Sequence, residues 1–164
     1  MFYGEVFKAL NKAKVKYVVA GGVAVVLHGY HRSTKDLDII ALLEKKNLEK
    51  LFDALASIGY IPKVPVTKKQ FVDKKQRERW KKEKGMLVFS FVERNPPFKL
   101  VDMFVDEPFP FKEIYGECIM ADVEDLCIPL IGIEQLRQIK LKAGRPQDLY
   151  DAVQLKAIQE IKKK

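Results

Sequence analysis

Histidine and cysteine are scarce in this 164-residue chain, two of each, and the scarcity closes off several chemistries. Cys118 and Cys127 have neither a CxxC spacing nor a nearby histidine pair, which excludes a zinc framework and a disulfide scaffold. In apolar, strand-like surroundings both read as buried thiols. His28 and His31 lack a mutual metal-binding spacing and read as core or solvent-facing histidines. Long hydrophobic runs are also missing. None approaches the roughly 20 residues that cross a bilayer, and the opening MFYGEVFKAL has neither the basic region nor the apolar stretch of a secretory leader. The expected compartment is therefore the cytoplasm, with no membrane partner. Internal repeats and low-complexity linkers are absent too.

What is present is a globular composition. With 48% hydrophobic residues the chain can build a core, and its length predicts a single domain over 1–164. The net charge of +8 is unevenly spread: the segment Lys68 to Lys84, KKQFVDKKQRERWKKEK, has nine Lys or Arg against three Asp or Glu. Such a basic insertion can attract RNA through phosphate contacts, with Phe71 and Trp80 offering stacking surfaces; the plain alternative is a solvated helix. At about 100° per residue Phe71 and Trp80 fall on opposite sides of a straight helix, so the segment bends or fails to bury one continuous stripe. It reads as an insertion with some freedom of its own.

Periodicity predicts a mixed α/β order. Phe2 to Lys14 has helical spacing, Val15 to Ala20 is a short strand, and a short apolar helix follows from Val23 to Leu27. Asp36 to Leu43 is a strand. Lys45 to Ile58 is an amphipathic helix ended by Gly59. Met86 to Val92 and Phe98 to Val105 form a hairpin, the PFPF around Phe109 is a loop, and Glu117 to Ala121 and Leu126 to Ile131 are short strands. A C-terminal helical pair over 132–161 closes the chain, from Gly132 to Ala143 and from Pro146 to Ile161, with Pro146 in a first turn. The fold class is thus a mixed β-sheet flanked by helices.

The candidate chemistry lies in YVVAGGVAVVLHGYHRSTKDLDIIAL, Tyr17 to Leu42. Strand alternation turns Asp36 and Asp38 to one face while Leu37 and Ile39 enter a core. Paired carboxylates on a rigid strand suit magnesium or manganese. Gly21 and Gly22 join a strand to a helix whose N-terminal N–H groups can face an anion. In FKLVDMFVD the same alternation puts Asp102 mid-strand between apolar neighbours, a costly place for an unpaired charge. A third carboxylate would complete a site for two divalent ions. Arg32 and Lys35, just before the aspartates, can reach phosphate oxygens or form surface ion pairs. Thr34 shapes the turn through its hydroxyl, and Asp148 and Asp151 read as acidic caps at a helix start.

The order of a glycine pair, a short helix, Asp-x-Asp and a later strand aspartate resembles the nucleotidyltransferase superfamily with a DNA polymerase beta-like fold. RSTKDLD and AGRPQDLYD, Ala143 to Asp151, are most similar to small stand-alone prokaryotic members, including abortive-infection toxin nucleotidyltransferases. The resemblance implies that Asp36, Asp38 and Asp102 bind metal and that Asp102 activates an acceptor hydroxyl. It implies that Gly21 and Gly22 hold the phosphates of a nucleoside triphosphate. Arg32, Thr34, Lys35, Lys140 and Arg145 join this nucleotide-binding set. The chain has Gly-Gly followed by Val23 where many active members have Gly-Ser. The expected function is magnesium-dependent transfer of a nucleoside monophosphate from an NTP to a hydroxyl of RNA, a protein or a small molecule, with a cognate antitoxin as a further partner. The alternative is an inactive module of the same fold that binds nucleic acid or a protein.

Overall fold

A computed structural model describes residues 2–162. The chain runs α1 (Gly4–Lys12), β1 (Tyr17–Ala20), α2 (Gly21–His28), β2 (Asp36–Ala41), α3 (Lys45–Ser57), β3 (Tyr60–Pro62), α4 (Lys68–Val72) and α5 (Lys74–Lys84). It continues with β4 (Val88–Glu93), β5 (Leu100–Phe104), α6 (Phe111–Gly116), β6 (Ile119–Val123), β7 (Leu126–Leu130), α7 (Ile133–Ala143) and α8 (Pro146–Lys162). Seven strands form one mixed sheet in the order β3-β4-β5-β2-β1-β7-β6. The β2–β5 and β1–β7 pairs are parallel and the others antiparallel.

Strand alternation divides the sheet into two faces. Val19, Ile39, Met103 and Phe89 lie in register across four strands. All four are almost fully buried. Phe89 leads this face into an aromatic cluster, with ring centroids 4.9 Å from Phe71 and 5.5 Å from Trp80. Phe91 adds contacts to Phe52 and Phe71. α3, α4 and α5 therefore cover this side. α3 packs through Leu48, Leu51 and Leu55, at helical spacing. Asn47 anchors its first turn: its Oδ1 accepts from the Lys16 N–H, and its Nδ2 donates to the carbonyls of Lys16 and Leu42.

The basic segment departs from expectation here. Phe71 and Trp80 are in the core, 0% and 4% exposed, and offer no stacking surface. The chain bends at Asp73, which leaves the helical conformation and caps α5 by accepting from the N–H groups of Lys75 and Gln76. That break rotates α5 so both rings meet one cluster. Burying two large aromatics is worth several kcal/mol, on the order of 2 each, so the segment is docked and not free.

Three smaller expectations also change. Cys127, inside the edge strand β7, is exposed, and Cys118, just before β6, is half-buried and packs against the core. β3 pairs with β4 at the other edge, a strand too short for periodicity to reveal. The last residue of PFPF, Phe111, is not loop but starts α6, with its N–H donating to Glu107 Oε2 at 3.1 Å.

Candidate active site

On the face opposite the aromatic cluster, Ala20, Asp38, Asp102 and Ser90 form one row across β1, β2, β5 and β4. Asp36 stands two residues before Asp38 on the same face. Asp38 and Asp102 are direct neighbours in a parallel pair, and their like charges are close enough to act on each other. Burial first, then the charge of Asp102, pushes the Asp38 carboxyl up to about 6; Lys140 and the Gly22 N–H oppose the shift. Burial also raises Asp102, against the Ser90 hydroxyl that hydrogen-bonds its charged form. One oxygen of Asp102, Oδ1, is buried without a hydrogen-bond partner.

An orphaned carboxylate oxygen beside a second, repelled carboxylate fits a divalent cation in chemistry and in charge. Among the described residues no three His, Cys, Asp or Glu side chains close on a common point. An ion here would rest on the Asp38–Asp102 pair, with Asp36 alongside.

The glycine pair has a tight steric reason. Gly21 has φ +60°, and a Cβ there would come 1.8 Å from Asp38 Oδ2. At Gly22 a Cβ would lie 2.4 Å from Thr34 Oγ1 and 2.6 Å from Arg32 Nη2. A serine at position 22 has no room while Thr34 and Arg32 stand there. Thr34 thus places a hydroxyl beside the turn, with a long 3.4 Å contact to the Asp36 carbonyl. Lys35 is exposed next to it.

α7 and α8 close one side of this face through a buried ionic cluster. Asp151, fully buried, accepts from Arg32 Nη1 at 2.9 and 3.2 Å, from Lys140 Nζ at 3.0 Å and from Gln147 at 2.9 Å. Asp148 accepts from Lys140 at 2.8 Å and from Arg145 Nε at 2.5 Å. Asp148 does sit in the first turn of α8, but neither aspartate is a solvent-facing cap. They are counter-charges for three of the four cations of the expected nucleotide-binding set, Arg32, Lys140 and Arg145, while Lys35 stays outside the cluster. Arg32 Nε remains buried and unpartnered.

Several contributors carried no sequence signal. The Tyr3 hydroxyl lies 2.6 Å from the Lys35 carbonyl and 2.8 Å from that of Leu100, so its proton ties together the starts of β2 and β5. Burial raises it to about 12, with Asp36 and Asp102 adding to the shift. Ser90 and Lys63 reach Asp102 from β4 and the β3 edge. His28 is a core residue: its Nε2–H donates to the Ile131 carbonyl at 2.8 Å, and burial lowers its pKa.

Comparison with known proteins bears on the fold. A family described as Aminoglycoside-2''-adenylyltransferase matches residues 4–82, which span the glycine turn and both β2 aspartates. Among solved structures, the lincosamide antibiotic adenylyltransferase LnuA, bound to lincomycin, superposes with a TM-score of 0.61 at 19% identity, over 96% of this chain and 94% of that one. ANT(2'')-Ia in complex with adenylyl-2''-tobramycin gives 0.59 at 13% identity, over 94% and 84%. A nucleotidyltransferase from Thermotoga maritima, TM1012, gives 0.57 at 15%, over 95% and 89%. The chain has the fold of these nucleotidyltransferases. No curated protein matches it by sequence. In this chain the carboxylate row and the glycine turn lie on one face of the sheet, and the basic helices α4 and α5 lie on the other. No helix among the described residues is long and apolar enough to cross a membrane.

Proposed function

We propose that this protein transfers an adenylyl group from ATP to a hydroxyl of a small molecule, in the presence of magnesium. The row Ala20–Asp38–Asp102–Ser90 beneath the Gly21–Gly22 turn carries the reading. The adenylyl donor and a small hydroxyl-bearing acceptor are favoured by the matched family and by the two antibiotic adenylyltransferases. In the reaction the acceptor oxygen bonds to the α-phosphorus, the bond to the β-phosphate oxygen breaks, and pyrophosphate leaves. Magnesium held by Asp36, Asp38 and Asp102 would supply Lewis-acid stabilisation of phosphate charge.

The chain's own residues do the rest. Asp102, with its raised proton affinity and a free oxygen, takes the acceptor's proton. The Gly21–Gly22 turn lets backbone approach the phosphates, and Arg32, anchored by Asp151, keeps donors for phosphate oxygens. Lys140 places positive charge near Asp38 from the α7 side, and Arg145 does so from α8. RNA led in along Lys68 to Lys84 is a poorer acceptor, since those helices pack on the far side of the sheet.

Incubation with ATP, magnesium and a panel of aminoglycosides, lincosamides and other polyols should yield an acceptor heavier by one adenylyl group. The product should vanish in Asp38→Asn and Asp102→Asn. Transfer that persists in both variants overturns the assignment. An inactive module would instead show no magnesium-dependent affinity for ATP in calorimetry.

A further inference from the structure

The basic segment is docked, yet its charge is not consumed by docking. Where α3, α4 and α5 meet, an open depression of about 640 Å³ is lined by Lys45, Lys68, Lys69, Lys74 and Arg77, with Glu49 and Asp73 as the only acids. Some of these groups are already committed. Lys68 is bound to Asp53 at 2.9 Å, Lys74 approaches Glu78 at 3.8 Å, and Asp73 spends its Oδ1 on capping α5. Lys45, Lys69 and Arg77 make no ion pair among the described residues.

Arg77 is the unusual member. It is 4% exposed, and its guanidinium donates only to backbone carbonyls, to Phe71 at 3.0 Å and Leu43 at 3.3 Å. A guanidinium this buried ordinarily faces a carboxylate or phosphate. Two carbonyls hold the group in the wall of the depression, and its charge is offset only at a distance, by Asp73 and Glu78, with no carboxylate bonded to it. The N-terminus of α3 opens onto the same space, its first turn holding no acid and its N-cap Glu44 making no side-chain cap. Its positive end adds to the lysines.

We propose that this depression is a second anion site, on the face of the sheet opposite the carboxylates, and that it takes linked phosphate groups. The excess of cations over acids calls for a multiply charged ligand, and the volume exceeds what one carboxylate would fill. No aromatic side chain lines it, because Phe71 and Trp80 are spent in the core, so recognition is of phosphate and not of base. Free polyphosphate and the backbone of RNA carry this chemistry alike. The site stands independently of the transferase reading.

Calorimetric titration of the full chain in EDTA, first with pyrophosphate and then with a single-stranded RNA of mixed sequence, separates the two sources. At near-physiological salt at least one should bind. The charge reversal Lys69→Glu with Lys74→Glu, at two exposed positions that a folded protein tolerates, should weaken that binding about tenfold or more. Asp102→Asn should leave it unchanged. Binding of pyrophosphate alone identifies a free polyphosphate ligand, and binding of RNA alone identifies nucleic-acid phosphates. If neither binds, or if the lysine reversal has no effect, the site does not exist.

Discussion

Gly21 and Asp38 are packed so closely that a side chain on the one would occupy the carboxylate of the other: a Cβ at Gly21 falls 1.8 Å from Asp38 Oδ2 and 2.4 Å from its Cγ. Glycine is required here twice over, since φ is +60° as well. Gly21→Ala should cost at least about 1–2 kcal/mol from left-handed strain alone. It should also displace Asp38 and abolish adenylyl transfer. Thermal denaturation and an ATP turnover assay on the same preparation test both halves; a variant that melts like wild type would show that the turn is looser than described.

At Gly22 the obstacle is Thr34 Oγ1, 2.4 Å from the Cβ position, together with the movable end of Arg32. Gly22→Ser alone should destabilise, and Gly22→Ser combined with Thr34→Ala should recover part of the loss, the Cβ of residue 34 still lying 2.9 Å away. A double-mutant cycle in denaturant gives the coupling directly. Strict additivity of the two changes is the result that would contradict this account.

Asp38 sets a pH dependence whose sign is definite. Its folded pKa of about 6 lies above the roughly 3.9 of an unfolded aspartate. Between those values the native state binds more protons, so stability from this group is full below about pH 4 and is lost as pH rises through 6. Asp38→Asn should therefore stabilise the protein at neutral pH, by up to about 3 kcal/mol, and change little at pH 4. Urea midpoints at the two pH values decide it.

Asp151 binds Arg32 and Lys140 at once, with no exposure of its own. Asp151→Ala strands two poorly solvated cations and should cost about 3–5 kcal/mol. Asp151→Asn should keep the fold better while loosening Arg32, raising the KM for ATP more than it lowers kcat. A purely structural role would reduce the active fraction and leave KM untouched.

Trp80 is the chain's single tryptophan. Seated on Phe89, it should emit at short wavelength and resist quenching by iodide. Trp80→Ala should cost about 3–5 kcal/mol. A red-shifted, readily quenched emission would mean that α5 does not dock.

How much of this was legible in the sequence depends on range. Alternation along single strands is a backbone property, so Leu37 and Ile39 could be placed inside and Asp36 and Asp38 together on the other face. Helical spacing likewise located α3 and the C-terminal pair, within a residue or so at each end. Burial of Phe71 and Trp80 was not legible, because it depends on a kink at Asp73 and on the Phe89 and Phe91 surface that the kink serves. Asp151 looked like a helix cap for the same reason: its partner Arg32 lies 119 residues away.

The sequence by itself determined the two-residue rhythm that puts the β2 carboxylates on one side, and the glycine pair that lets backbone pass beside them. Short-range sterics decide such things, whatever the chain does later. Only the tertiary structure set Asp102 directly beside Asp38, built counter-charges for Arg32 and Lys140, and put the basic helices behind the sheet. Those arrangements follow from strand order and from the burial of surfaces far apart in the chain, which no local pattern encodes.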